Sequence, residues 1–229
     1  TLGALSACGK SKQKAPFEPL VPGFIQVQWP HCYRCPFGKE YPGCDITCAA
    51  LFEEVIQCEG PETVAGIIVE PMMRRGGAAV PPPEYLPMLR DISDRYNVLL
   101  IFDEVVTGFS RTGRMFAAQT FETTPDVLCL GKGISSGYAP LAATVVSEEI
   151  AGALEQASEN GGAYVHGHTY GGNPVSCAAG VANIEVLREE SLDGNAEEVG
   201  LHLRERMDGL KSLEVVGSVN GKGLLSGME

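Results

Sequence analysis

Residues Asn97–Lys132 read NVLLIFDEVVTGFSRTGRMFAAQTFETTPDVLCLGK. Two apolar runs in this stretch, Val98–Phe102 and Asp126–Leu130, have the length and composition of buried strands. Each leads to a charged residue, Asp103 after the first and Lys132 after the second. On neighbouring parallel strands, such a carboxylate and lysine meet at the carboxyl edge, in the crevice where open α/β sheets bind ligands.

Upstream, Val64–Val69 predicts another buried strand and delivers Glu70-Pro71 at its end. A glycine- and proline-rich loop follows. A helix over residues 84–96 then shows Leu86, Leu89 and Ile92 on one face. Residues 49–58 have helical spacing and end at Gly60-Pro61, whereas residues 1–48 are rich in proline and predict an extended, loop-rich segment.

Downstream, residues 142–146 predict a strand and 148–158 a helix stopped by Asn160-Gly161-Gly162. Residues 166–174 form a polar glycine-rich loop, and Pro174 sits at a first helical position. Helices are expected after Pro174 and over 196–211, then strands over 213–219 and 223–228, the last without an obvious partner. Strands alternating with helices indicate an α/β fold, a mostly parallel sheet flanked by helices.

With 44% hydrophobic residues the chain can bury a sizeable core. A net charge of −12 excludes a general nucleic-acid binder, which needs a basic face. No apolar run approaches the roughly 18 residues of a membrane span. Leu5-Ser6-Ala7-Cys8 has the look of a lipoprotein box, but no basic region precedes it and its apolar run is too short. These features predict a cytoplasmic protein with no membrane or nucleic-acid partner.

Lys132 is followed by Gly133-Ile134-Ser135-Ser136-Gly137. A lysine in a partly desolvated cleft can attack a carbonyl to form an imine; the plain alternative is a strand-end lysine reaching solvent. Asp103 could hold a protonated heteroaromatic nitrogen, bind a metal, cap a turn, or pair with Arg111 or Arg114. Neither Gly9-Lys10-Ser11 nor Gly131-Lys132-Gly133 completes a phosphate-binding P-loop. His166 and His168 lack further metal-ligand residues nearby, and their loop suits contact with an anionic group through Thr169 and backbone N–H groups. Cys32, Cys35, Cys44 and Cys48 have spacings that could hold zinc or an iron–sulfur cluster, or remain free thiols in a packed surface loop.

The blocks VAGIIVEP, VPPPEYLPMLRDISDRYNVLLIFDEVVTGFSRTG, PDVLCLGKGISSGYAPLAATVVS and GHTYGGNPVSCAAGVANIEVL, in this order, resemble the class III or omega-type aminotransferases. The resemblance covers nearly the whole chain. It implies the large domain of a fold type I enzyme dependent on pyridoxal 5′-phosphate (PLP). Lys132 would carry the cofactor as an imine and act as acid and base, and Asp103 would pair with its ring nitrogen. Val105 would pack on a ring face, Glu70 would support the site beside Asp103, and Thr169 would donate to the phosphate bound by a neighbouring subunit, so a homodimer is implied. The cysteine-bearing segment also looks like a loop of some members, which need no metal.

The implied reaction moves an amino group from an omega-amino acid or amine to a 2-oxo acid, by a ping-pong mechanism. An aminomutase or a decarboxylating transaminase would use the same site. Val106 stands where one branch of the family has a glutamine that contacts the cofactor's phenolic oxygen. Arg74 and Arg75 stand where a glycine-containing run is usual; their charge could attract an acidic substrate or face solvent. The upstream phosphate-binding loop and ring-stacking aromatic have no counterpart here. The expectation is therefore an internal fragment, truncated at both ends and catalytically incomplete alone, with residues 1–190 in the large domain and 191–229 opening the small C-terminal domain.

Overall fold

The computed structural model describes residues 1–162 and 164–229. Its main sheet has four strands in the order β1 (Gly66–Val69), β2 (Leu99–Asp103), β3 (Val127–Leu130) and β4 (Ala143–Val146). The β1–β2 and β2–β3 pairs are parallel and β3–β4 is antiparallel. The sheet is thus mixed but mostly parallel, as the strand–helix alternation predicts.

Five longer helices accompany it: α1 (Thr47–Glu59), α2 (Tyr85–Tyr96), α3 (Glu148–Glu159), α4 (Pro174–Glu189) and α5 (Leu192–Asp208). Local chemistry sets their ends. Asn97 takes the left-handed conformation (φ 53°) that closes α2, and the Val98 N–H donates back to Ser93 O at 3.0 Å. The Ser147 hydroxyl accepts from Ile150 N at the start of α3. Asn173 Oδ1 accepts from Val175 N and Ser176 N, both at 3.1 Å, at the start of α4.

The principal core lies between the sheet and α1 and α2. Ile56, Ile67, Leu86, Leu89, Ile92, Leu100 and Phe102 are buried together. Arg95 of α2 and Glu53 of α1 form an ion pair over this contact. Asp126 fastens β3 to its neighbour: its carboxylate accepts from Leu100 N at 2.7 Å and from Arg90 Nη1 at 2.9 Å. A second cluster, Phe109, Leu130, Ile134 and Leu187, seats α4 against the turn after β3.

Burial is one-sided. Alternate residues Ile67, Leu100 and Phe102 are buried, but Ile68 is 47% and Leu99 39% exposed. The apolar runs therefore make strands, as expected, with only one face fully covered within this chain.

Three expectations need correction. The N-terminal segment is not simply extended, because it contains short helices at Leu2–Ala7 and Ser11–Lys14. Residues 213–218 lie outside the assigned strands; β5 is Val219–Lys222 and pairs antiparallel with β6 (Leu225–Met228), so the last strand does have a partner. Gly223, at φ 56°, turns this hairpin against Thr112-Gly113, where a Cβ would come within 2.5 Å of Thr112 C. The helix expected over 196–211 runs from Leu192 to Asp208 and tightens to a 3₁₀ turn at Gly209–Ser212.

Candidate active site

The parallel register gathers three of the expected residues on one edge. Val69 pairs with Phe102, and Asp103 pairs with Cys129. Glu70, Asp103 and Lys132 therefore leave the carboxyl ends of three adjacent strands. This is the crevice side of an open α/β sheet.

Asp103 is half-buried and accepts from Val105 N at 3.1 Å. The Val105 methyls lie 3.5 Å from where a Cβ on Gly131 would sit, so Val105 stands beside the peptide that precedes Lys132. Burial pushes the Glu70 carboxyl above its ordinary value and the nearby Asp103 charge adds to this, while the Arg74 N–H and the Arg74 and Arg75 guanidinium charges pull it back.

Lys132 is exposed and has φ 41°, an uncommon left-handed conformation for a residue with a side chain. The next residues hold it there. Asn183 of α4 donates from Nδ2 to Gly133 O at 2.8 Å and to Ile134 O at 3.2 Å, and accepts from Ser136 Oγ at 2.6 Å. Ser135 Oγ donates to Ala139 O at 2.6 Å. Gly133 leaves room for Phe109, since a Cβ there would stand 2.9 Å from Phe109 Cβ.

Beneath the edge lies Glu104, which is fully buried. It accepts from Ala117 N at 2.6 Å, Ala118 N at 2.8 Å and Thr107 Oγ1 at 3.0 Å. Burial raises its pKa; the Ala118, Ala117 and Thr107 hydrogen bonds oppose that, and Asp103 adds to it. Glu104 thus shapes the loop between β2 and β3, while Asp103 faces the edge. Sequence reasoning missed Glu104, Asn183 and Asp126. The only signals available were a second carboxylate after Asp103, one polar residue in an apolar helix, and an acid before an apolar run.

Among the described residues, no hydrogen bond joins Thr169 to Glu70, Asp103 or Lys132. Thr169 is exposed on the loop 164–173, where Gly171 N donates to His168 O at 2.9 Å and Asn173 N to Tyr170 O at 3.1 Å. The His166 and His168 rings meet edge to face at 5.4 Å.

Cys32, Cys35, Cys44 and Cys48 line one cavity of about 20 Å³ together with His31, Lys39 and Tyr41. Burial, then the neighbouring Cys32, pushes the Cys48 thiol up to about 11. Among the described residues, no three His, Cys, Asp or Glu side chains converge as metal ligands.

The donor set at the edge fits a flat heteroaromatic aldehyde. Asp103 offers an anion for a ring nitrogen, Val105 an apolar surface, and Lys132 a primary amine for the carbonyl carbon. The family model for class-III aminotransferases matches residues 1–229. A taurine–pyruvate aminotransferase of Bilophila wadsworthia is 40% identical over 233 residues, covering 100% of this chain and 50% of its own. An adenosylmethionine-8-amino-7-oxononanoate aminotransferase of Geobacter sulfurreducens is 38% identical over 231 residues, covering 100% of this chain and 51% of its own. The chain thus spans about half the length of the curated relatives it matches. Among solved structures, a thermostable (S)-enantioselective omega-transaminase from Thermomicrobium roseum superposes with a TM-score of 0.91 at 40% identity, over 98% of this chain and 49% of that one. An omega transaminase from Pseudomonas jessenii superposes with a TM-score of 0.92 at 36% identity, over 100% of this chain and 51% of that one.

Proposed function

The chain belongs to the class-III aminotransferase family, and from that premise we propose that it supplies the cofactor-holding part of a PLP-dependent transaminase. Its substrates are an omega-amino acid or amine as donor and a 2-oxo acid as acceptor. The observation that carries this reading is the placing of Glu70, Asp103 and Lys132 on one carboxyl edge of three adjacent strands.

When bound, PLP supplies an electron sink for the carbon that loses its proton. The residues of this chain supply the rest. Asp103 would hold the ring nitrogen in its protonated form, and the Val105 N–H donates to that carboxylate and fixes its orientation. The Val105 side chain would cover one ring face. Glu70 holds the region beside Asp103. Lys132 Nζ would hold the cofactor at its carbonyl carbon and, when free, would take a proton from the donor carbon as general base and return it as general acid. Asn183 keeps the Lys132 turn in register with Asp103 during both steps. The donor leaves its nitrogen before the acceptor enters, giving ping-pong order. Thr169 serves the phosphate of a neighbouring subunit, so the working unit is a homodimer in the cytoplasm. Residues 1–190 form part of the large domain and 191–229 open the small one.

The test uses the full-length protein loaded with PLP, an amine donor and pyruvate. Alanine should form, and Lys132→Ala should abolish both alanine formation and the near-visible absorbance band that appears on adding PLP. An isomerised donor that keeps its nitrogen would point instead to an aminomutase. Release of CO₂ would point to a decarboxylating enzyme. A band unchanged by Lys132→Ala would remove the assigned role of this lysine.

A further inference from the structure

Four of the eight cysteines crowd one short stretch. Cys32, Cys35, Cys44 and Cys48 all line the cavity of about 20 Å³, a space for about one water molecule. All four are free thiols. Among the described residues they do not converge in threes as metal ligands, so their chemistry is that of pairs.

The fold sorts the four by access. Cys44 belongs to the principal core with Ile46 and Ala49, and Cys48 packs against that core. Cys32 is exposed and Cys35 half-buried. A single 3₁₀ turn, Cys32–Arg34, joins these two. In such a turn residues i and i+3 eclipse, about 6 Å apart along the axis. A disulfide closes between Cα atoms about 4.4–6.8 Å apart. The turn therefore stacks Cys32 and Cys35 at bonding distance on the cavity wall.

The surrounding loop is pinned on several sides. His31, just before the turn, pairs with Glu229 at 2.9 Å and stacks on Trp29 with ring centroids 4.6 Å apart. Gly38 N donates to Cys35 O at 3.1 Å. Lys39 Nζ donates to Thr47 Oγ1 of α1 at 2.8 Å, and Tyr41 OH donates to the Glu84 carboxylate at 3.3 Å. Partial burial, then Cys44 and Cys35, raise the Cys32 pKa. A second thiolate beside the first is opposed, and bonding the two sulfurs removes both charges.

We propose that Cys32 and Cys35 form a reversible dithiol–disulfide site that reacts with low-molecular-weight disulfides. The Cys32 thiolate, the accessible one, attacks one sulfur of the small disulfide and releases one small thiol. The Cys35 thiolate then attacks the Cys32 sulfur of the mixed disulfide and releases the second. The two protein thiols are oxidised, the small disulfide is reduced to two thiols, and the two protons pass to those thiols. Cys44 and Cys48, held in the core, stay reduced. The exchange is separate from the strand edge and proceeds whether or not a cofactor is bound there.

The experiment equilibrates the full-length protein with glutathione over a range of reduced-to-oxidised ratios. Samples are quenched in acid, unfolded, alkylated and mapped by peptide mass spectrometry. Cys32 and Cys35 should be found bonded to each other, with Cys44 and Cys48 alkylated, and dithiothreitol should reopen the pair. Cys35→Ser should instead trap one glutathione on Cys32. Because the turn holds the two sulfurs together, half-closure in the folded protein should need a roughly tenfold less oxidising ratio than in urea. Four alkylated thiols at the most oxidising ratio overturn the proposal, as does pairing of Cys32 with Cys44 or Cys48. Equal closure of the folded and urea-unfolded protein also overturns it, since the turn would then contribute nothing.

Discussion

At the scale of single residues, the edge divides its two carboxylates by environment. Asp103 is half-buried at the strand end, whereas Glu104 is sealed beneath it with three donors. Glu104→Ala would strand those buried donors and should lower stability by at least ~2 kcal/mol, read from the urea midpoint; a loss below ~0.5 kcal/mol, within the ordinary scatter of surface changes, would speak against the role. Glu70 makes a prediction in pH. Its folded pKa lies above the ordinary 4.5, so the folded state binds the proton more tightly than the unfolded state. Its contribution is fully present below 4.5 and is lost as pH rises through the raised value. Relative to Glu70→Gln, the apo protein should therefore lose stability on raising the pH across that window, as measured by unfolding at several pH values. Cys48, held near 11, should react with iodoacetamide far more slowly at pH 8 than exposed Cys58, with its rate climbing towards that value. Asn183→Ala removes three hydrogen bonds from the Lys132 turn. It should weaken PLP retention in gel filtration and lower kcat roughly tenfold, the scale of one lost positioning contact; retention equal to wild type would assign Asn183 to packing alone.

At the scale of elements, the strands that build the edge were legible because each is a short apolar run closed by a charge or turn. Helix α2 was legible from its single apolar face and Asn97 stop. The β5–β6 hairpin was not. Leu213-Glu-Val-Val looks more like a strand than Val219-Asn-Gly-Lys does, yet Val215 is 86% exposed. Pairing there is decided by the turn at Gly223 docking on Thr112-Gly113 and by Leu224 N donating to Arg111 O at 3.0 Å. Such a tertiary contact leaves no periodic trace. The site was legible to the same degree. Asp103 and Lys132 stand at strand ends, but Asn183 acts from a helix 50 residues away from Gly133. Strand spacing adds a test. A Cβ on Gly66 would come within 2.7 Å of Leu99 O, so Gly66→Ala should push β1 from β2 and cost about 1–3 kcal/mol in thermal or urea unfolding.

At the scale of the whole molecule, several large apolar side chains stay exposed. Tyr138 is 89% exposed, Val165 91%, Tyr170 82% and Val175 73%. Exposed aromatic and aliphatic groups favour burial against another surface, in keeping with the proposed homodimer. Light scattering on the full-length protein should give twice the monomer mass at micromolar concentration; a monomer would count against Thr169 serving a neighbouring site. The strand order has a different consequence, one of timing. Because β1, β2, β3 and β4 neighbour one another in the order in which they occur in the chain, each can pair soon after it leaves the ribosome, without waiting for a distant partner. Each parallel closure spans about 33 residues or fewer, as between Gly66 and Leu99, rather than reaching across the chain. Glu70, Asp103 and Lys132 would then come together one after another during synthesis, and pulse-labelled amides of β1 and β2 should gain protection before those of the later hairpin.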